Sequence, residues 1–133
     1  MEIALRDYEV FRGEVAMLPP NMARVFERQQ PQPEILRVAK LGEQVIGCYA
    51  MQEPAAPLRN AAEMLAFTLT MVMVLPSCQR NGVGRWLVGH AIGVAESKGG
   101  RRLEALLAGP ENFFVGLGFE SLANGYCFAM YQE

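Results

Sequence analysis

The stretch VLPSCQRNGVGRWLVGHAI, residues 74–92, joins an apolar segment to a turn with two glycines and then to apolar residues at helical spacing. This pattern predicts a strand, a turn and a helix. The first backbone N–H groups of a helix lack intrahelical partners, and the helix dipole places partial positive charge beside them. Gly82 and Gly84 would let an anion approach these groups, and Arg80 and Arg85 would add charge. The same glycines could instead serve only the steric needs of a tight corner.

Two common phosphate-binding motifs do not fit this turn. A P-loop requires lysine and then serine or threonine after its last glycine, whereas Gly84 is followed by Arg85 and Trp86. The dinucleotide-binding fingerprint requires a third glycine, and Leu87 occupies that position. The sequence therefore excludes both motifs at this place.

A more specific pattern surrounds the turn. Residues 74–84, VLPSCQRNGVG, resemble motif A of the GNAT family of N-acetyltransferases, in which V-x-P ends a strand and Q/R-x-x-G-x-G/A leads into a helix. Gln79, Gly82 and Gly84 occupy its fixed positions. Residues 113–119, FFVGLGF, are similar to the later F-Y-x-x-x-G-F helix of that family. The resemblance implies an α/β fold, with a GNAT-like mixed central sheet of about six to seven strands, helices on both faces and a V-shaped cofactor cleft.

By the same resemblance the cofactor is acetyl-CoA. In the family, backbone amides of the turn hold the pyrophosphate, and the end of the strand pairs with the pantetheine arm. A bulge, which corresponds to Val74, splays the strand from its neighbour, so that the arm enters the gap like an added strand. The cofactor-binding residues implied in this way are Met73, Val74, Gln79, Arg80, Asn81, Gly82, Val83, Gly84, Arg85 and Phe114.

Acetyl transfer to an amine needs a base that leaves the amine neutral, donors for the developing oxyanion, and an acid that reprotonates the thiolate. The resemblance assigns the oxyanion donor to the backbone amide of Val74. The tyrosine acid of the family corresponds to Phe114, which cannot donate a proton, and its glutamate base corresponds to Thr68. Tyr126, on the predicted last strand, could replace the acid.

The base is left open by the sequence. Thr68 stands at the position of the family's base, and Glu63, Glu53 and Tyr49 could reach the cleft through water. A threonine in an apolar strand, as at Thr68 and Thr70, also has the simpler interpretation of a hydroxyl bonded to backbone.

Composition limits the other classes of protein. At 133 residues the chain is long enough for one domain, residues 1–133, with a net charge of −2 and no dense basic run, so we expect no nucleic-acid partner. Three separated cysteines and one histidine give no zinc pattern, so no metal site is expected. The apolar run at 65–75 is shorter than the roughly 20 residues of a membrane span. The N-terminus has no signal-peptide pattern, and we expect a cytoplasmic protein without membrane contact.

The rest of the chain predicts the elements around the turn. Pro19 and Pro20 should separate two short helices, with Asn21 as N-cap of the second, and Gly99 and Gly100 should end the helix after the turn. The predicted elements are a strand at 1–7, helical pieces within 8–33, a hairpin at 34–54, a central strand at 64–75, a helix at 85–98, a strand at 101–108, a short helix at 109–118 and a strand at 126–132. Gly89 and Gly93, four residues apart in the helix, indicate a close approach by another element.

The predicted function is transfer of an acetyl group from acetyl-CoA to a primary amine by direct nucleophilic attack. The acceptor is a small-molecule amine or a protein amine, and residues 18–33 and 52–63 are expected to determine which. The alternative is a non-catalytic acetyl-CoA-binding module that regulates a protein partner, which the replacements at Thr68 and Phe114 favour. Apolar strands near the C-terminus also favour a homodimer.

Overall fold

The computed structural model describes residues 9–29, 34–54, 66–75, 78, 82–105, 116, 118–122 and 125–129. Its seven strands form a single sheet in the order β1-β2-β3-β4-β5-β7-β6. The strands are β1 (Glu9–Arg12), β2 (Ile35–Leu41), β3 (Gln44–Gln52), β4 (Ala66–Val74), β5 (Arg102–Ala105), β6 (Glu120–Leu122) and β7 (Gly125–Ala129); the helices are a short 3-10 turn (Val15–Met17), α1 (Pro20–Gln29) and α2 (Val83–Ser97).

The sheet is mixed, as predicted. The β4–β5 pair is parallel, and the other pairs are antiparallel. β4 is the fourth strand of seven, which confirms the predicted central strand. The predicted hairpin is confirmed as β2 and β3, because Leu41 pairs with Gln44 and Gly42 has the positive φ of 62° that a tight turn requires.

The N-terminal part of the prediction needs correction. Glu9–Arg12 was expected in a helical piece but forms β1 on the edge of the sheet, paired with β2. α1 begins at Pro20, so Asn21 lies inside its first turn and is not the N-cap. Proline suits the first helical position because its fixed φ is helical and its missing N–H is not needed there. The strand predicted at 1–7 lies outside the described residues.

The helices cover opposite faces of the sheet. On one face α1 contributes Met22 to what we call the α1-side cluster, made of Leu18, Met22, Leu36, Val38, Val45, Cys48, Ala50 and Met71. On the other face α2 contributes Leu87 and Ala91 to the α2-side cluster, which also contains Ile35, Ala39, Tyr49, Phe67, Leu69, Leu103 and Tyr126. Neighbouring residues of β2, such as Ile35 and Leu36, belong to different clusters because strand side chains alternate.

α2 follows its sequence pattern closely. It starts two residues earlier than predicted and buries Val83, Leu87, Val88, Ala91 and Ala95. It ends where the glycines were expected to end it: Gly99 has a φ of 84°, and the N–H groups of Gly99 and Gly100 donate to the carbonyls of Glu96 and Ala95. Gly89 and Gly93 are exposed, and a Cβ at either position would meet nothing within 4 Å, so in the described structure no element approaches them.

The C-terminal part contains a strand that the sequence did not predict. β6 pairs with β7, with Leu122 opposite Gly125, and this hairpin joins β5 through β7. The short helix predicted at 109–118 lies almost entirely outside the described residues. Neither helix in the described part of the chain has the length and hydropathy of a membrane span.

Candidate cofactor and acyl-transfer site

The start of α2 is the first part of the candidate site. Gly82 precedes it in the left-handed conformation (φ 82°, ψ 2°), and its carbonyl accepts the first helical bond, from the N–H of Trp86 at 3.0 Å. No side chain caps this end of the helix in the described structure, and the first turn contains no acidic residue. Arg85 is exposed in that turn, where the helix dipole disfavours a cation. The N-terminal end of α2 thus has the charge pattern of an anion site.

Gly47 of β3 lets α2 lie close to the sheet at this point. A Cβ on Gly47 would lie 2.9 Å from the carbonyl oxygen of Met73 and 3.0 Å from Cδ1 of Leu87. The start of α2 and the end of β4 are therefore held together over a residue that has no side chain. The sequence prediction missed this contact, since Gly47 lies inside a strand far from the turn.

The bulge in β4 is at a different residue from the one predicted. Ala50 of β3 pairs with Met71 and Met51 pairs with Leu69, so Thr70 is the extra residue. The Thr70 hydroxyl donates to the Ala50 carbonyl at 3.3 Å, which confirms the simpler interpretation of this threonine. Pairing is regular from Met71 to Val74, and the expectation of a bulge at Val74 was therefore wrong. Sequence cannot show which residue of an apolar strand is left unpaired.

The backbone of β4 presents amides away from β3. Gly47 pairs with Val74, and the N–H of Leu75 donates to the Ile46 carbonyl at 2.8 Å. This is the non-hydrogen-bonded type of antiparallel pair, so the Val74 N–H is directed to the other side of β4. Two residues earlier, the N–H of Val72 has the same direction. The sequence prediction named Val74 and missed Val72.

On that other side β4 has β5 as its neighbour. It pairs with β5 from Ala66 to Leu69, where the partner is Ala105, the last described residue of β5. β4 continues through the bulge to Val74, next to the start of α2. We call the side of β4 that faces away from β3, from Thr70 to Val74, the β4–β5 gap; the V-shaped opening expected there stays a prediction.

The structure places two predicted catalytic side chains on opposite faces of the sheet. Phe67 and Leu69 belong to the α2-side cluster, so Thr68 between them faces the α1 side, where it is half-buried. Tyr126 is only 8% exposed and belongs to the α2-side cluster. A single reacting group cannot contact both side chains from one face.

The structure describes only some of the other predicted site residues. Val83 is buried beneath the start of α2, so only its backbone can face a ligand, and Met73 is half-buried on the α1 side. Glu63, Gln79, Arg80, Asn81 and Phe114 lie outside the described residues. The described residues contain no group of three His, Cys, Asp or Glu side chains that could hold a metal.

A buried polar pair lies beside this site. The Tyr49 hydroxyl and His90 Nδ1 are 2.8 Å apart, and Tyr49 is fully buried directly opposite Val72. Burial raises the pKa of Tyr49, against the opposing effect of the Arg37 guanidinium. Burial also lowers the pKa of His90, and Arg37 lowers it further. Both side chains are therefore neutral near neutral pH, and Tyr49 is buried within the α2-side cluster.

The fold and the glycine turn define an acetyltransferase-like protein. A profile of the acetyltransferase (GNAT) domain family matches residues 32–121, more than half of the chain, and the chain belongs to this family. A search of curated proteins found no significant match.

Solved structures share the fold at low sequence identity. A GNAT family acetyltransferase from Brucella melitensis in complex with acetyl-CoA has a TM-score of 0.68 and 16% identity, over 95% of this chain and 90% of that chain. A GNAT family acetyltransferase from Elizabethkingia anophelis with acetyl-CoA bound has a TM-score of 0.63 and 17% identity, over 86% and 76%. A mutant of the toxin AtaT, bound to acetyl-CoA and the C-terminus of the antitoxin AtaR, has a TM-score of 0.65 and 19% identity, over 92% and 93%.

Proposed function

We propose that this protein is an N-acetyltransferase that binds acetyl-CoA and transfers the acetyl group to a primary amine by direct attack. The observation that carries the proposal is the start of α2 at Gly82, which no described side chain caps, beside the end of β4, where the N–H of Val72 is directed away from β3. Helix N–H groups without partners suit a pyrophosphate, and an exposed strand edge suits the two amides of pantetheine. Acetyl-CoA is present in the related Brucella and Elizabethkingia structures.

In this proposal the pyrophosphate lies against the amides of residues 79–85, with Arg80 and Arg85 as cationic neighbours. The arm runs along β4 in the β4–β5 gap, where the amides of Val72 and Val74 face it. Val72 is nearer to the bulge and therefore deeper in the gap, so it joins Val74 as a donor for the developing oxyanion. Phe114 would contact the cofactor through its ring alone.

The proposed acceptor approaches from the face of the sheet that α1 covers, and residues 18–33 and 52–63 are expected to determine specificity. Thr68 faces that side, which makes it the better placed of the two described catalytic candidates. Tyr126 packs in the α2-side cluster, and Glu63 stays a prediction. We further propose that residues 1–133 form a single cytoplasmic domain; a homodimer stays a prediction.

The first experiment is calorimetric titration of the protein with acetyl-CoA, with ATP as the control ligand. Micromolar binding that ATP does not reproduce would support the proposal, and no binding to the folded protein would contradict it. Release of coenzyme A should then be followed with a broad panel of primary amines. Tight binding without turnover on any amine would favour the alternative, a regulatory acetyl-CoA-binding module.

A matched pair of variants tests the turn itself. Gly82 and Gly42 both have positive φ (82° and 62°), and a Cβ at either position would meet nothing within 4 Å. Gly82→Val and Gly42→Val should therefore lose similar stability from backbone strain, of about 1–3 kcal/mol. Only Gly82→Val should abolish acetyl-CoA binding, because only its side chain stands between the helix amides and the phosphate. Retained affinity in folded Gly82→Val would show that the turn does not hold the cofactor.

A further inference from the structure

A second, charged groove lies at the opposite end of α2 from the glycine turn. Its volume is about 470 Å³, and its charged lining residues are Arg12, Glu14, Glu34, Arg37, Glu53 and Lys98. Lys98 is the C-cap of α2, whose fifteen residues separate it from Gly82 by roughly 22 Å at 1.5 Å per residue. The groove is therefore separate from the proposed cofactor site.

Two arginines face each other on one side of the groove, and no described carboxylate forms an ion pair with either of them. Arg12 of β1 is the cross-strand partner of Arg37 of β2, so both side chains lie on the same face of the sheet. Like charges directly opposite on neighbouring strands are destabilising. In the described part of the chain, Nη1 of Arg37 donates to the carbonyl of Leu36 at 3.2 Å, and neither guanidinium forms an ion pair.

The other charged residues of the groove are mainly acidic and come from loops and strand ends. Lys98 and Glu53 are 3.8 Å apart and neutralise each other, and the N–H of Glu53 donates to Oε1 of Glu34 at 3.1 Å. Glu14 is exposed, and its carboxylate forms no ion pair with the described residues. The groove thus has two neighbouring guanidiniums, those of Arg12 and Arg37, on the side formed by β1 and β2, and acidic side chains around them.

We propose that this groove binds a small zwitterionic ligand of the amino-acid class. Its carboxylate would lie between Arg12 and Arg37, whose planar guanidiniums suit bidentate contact, and its ammonium would face Glu14 and Glu34. A carboxylate there relieves the repulsion between the two arginines. A simple anion would gain the same contact but would also meet the glutamates, so a ligand with both charges matches the lining better. The volume lies in the ordinary range for small-molecule sites.

The pKa of His90 provides a readout of ligand binding in the groove. Arg37 lies close enough to His90 to lower its pKa, and His90 is the single histidine of the chain, so its ring signals are unambiguous in NMR spectra. A carboxylate on Arg37 would offset part of that positive charge. Binding in the groove should therefore raise the pKa of His90.

The test is calorimetric titration, without acetyl-CoA, of four probes: glycylglycine, N-acetylglycine, glycinamide and inorganic phosphate. Glycylglycine carries both charges, and the others carry one kind each. We expect it to bind at least about tenfold more tightly than the other probes. Arg12→Gln and Arg37→Gln should each weaken its binding by about tenfold or more. The control Arg24→Gln changes an exposed arginine on α1 and should bind as the wild type does.

Two further readouts make the result decisive. Saturating glycylglycine should raise the His90 pKa in the wild type but not in Arg37→Gln, and Gly82→Val should bind the dipeptide normally even though it loses acetyl-CoA. Arg12 is exposed on an edge strand, so its variant remains informative if Arg37→Gln fails to fold. Absence of binding at millimolar concentration would overturn the proposal. Equal binding of phosphate or N-acetylglycine, or unchanged binding in the Arg12 variant, would overturn it too.

Discussion

His90 shows how one side chain gains its properties from distant residues. It lies in the middle of α2, yet it contacts Tyr49, 41 residues away, and its ring centroid lies 6.3 Å from that of Trp86. If His90 were removed, the buried Tyr49 hydroxyl would lose its partner, and an unsatisfied buried group costs about 1–3 kcal/mol. The pair therefore stabilises the packing of α2 on β3, and it favours a neutral histidine.

The free energy of unfolding should therefore decrease as the pH falls below 6.5, the pKa of His90 in the unfolded chain. In the folded protein the pKa of His90 is lower, so the unfolded chain binds a proton at higher pH than the folded protein does. The loss of stability therefore continues until the pH is below the pKa of His90 in the folded protein. Urea unfolding between about pH 8 and pH 5 measures this. His90→Gln cannot titrate and should lack this component. Parallel pH profiles for the two proteins would show that His90 does not contribute.

Among the elements, α2 has the strongest sequence signals and the most specific tertiary contact. Its apolar stripe, its glycine start and its glycine end are all local, and all were predicted. Its distance from the sheet was not predicted, because that distance depends on Gly47, in β3. Gly93 is the opposite case: it is a glycine inside α2 with open space beside it. The two positions need glycine to very different degrees.

Replacement of each glycine by alanine tests this difference. Gly47→Ala should destabilise the protein by about 1–3 kcal/mol, because the new Cβ would overlap the Met73 carbonyl, and it should weaken acetyl-CoA binding as α2 and β4 move apart. Gly93→Ala should instead stabilise α2 by up to about 1 kcal/mol. Thermal unfolding and calorimetry measure both effects. Should Gly93→Ala destabilise the protein or change its sedimentation, the close approach predicted from Gly89 and Gly93 would be an interface between copies.

At the scale of the whole molecule, the described sheet has one group of strands, β1 to β4, and a second group, β5 to β7, which meet at the parallel β4–β5 pair. β1 to β4 pair along most of their lengths, whereas β4 pairs with β5 only from Ala66 to Leu69 in the described structure. A ligand in the β4–β5 gap would therefore connect the two groups. Any ligand that binds only the folded state at 100 times its Kd raises the unfolding free energy by about 2.7 kcal/mol.

Amide hydrogen exchange measured by NMR should show where this stabilisation acts. Acetyl-CoA should slow exchange at Val72, whose N–H faces the gap, far more than at Met73, whose N–H already faces β3. ATP provides the control. Equal protection of the two amides would indicate general stabilisation without a ligand strand in the gap, and the proposed path of the arm would be incorrect.

The sequence by itself determined the family, the hairpin, the central strand and the helix after the glycine turn. These features follow from local signals: V-x-P and the spaced glycines, the turn at Gly42, an unbroken apolar run, and a stripe at helical spacing. Tertiary structure alone decided the bulge at Thr70, the opposite faces of Thr68 and Tyr126, and the partnership of Tyr49 with His90. Those depend on strand register and on how closely α2 packs, because a shift of one residue turns every side chain of a strand to the other face.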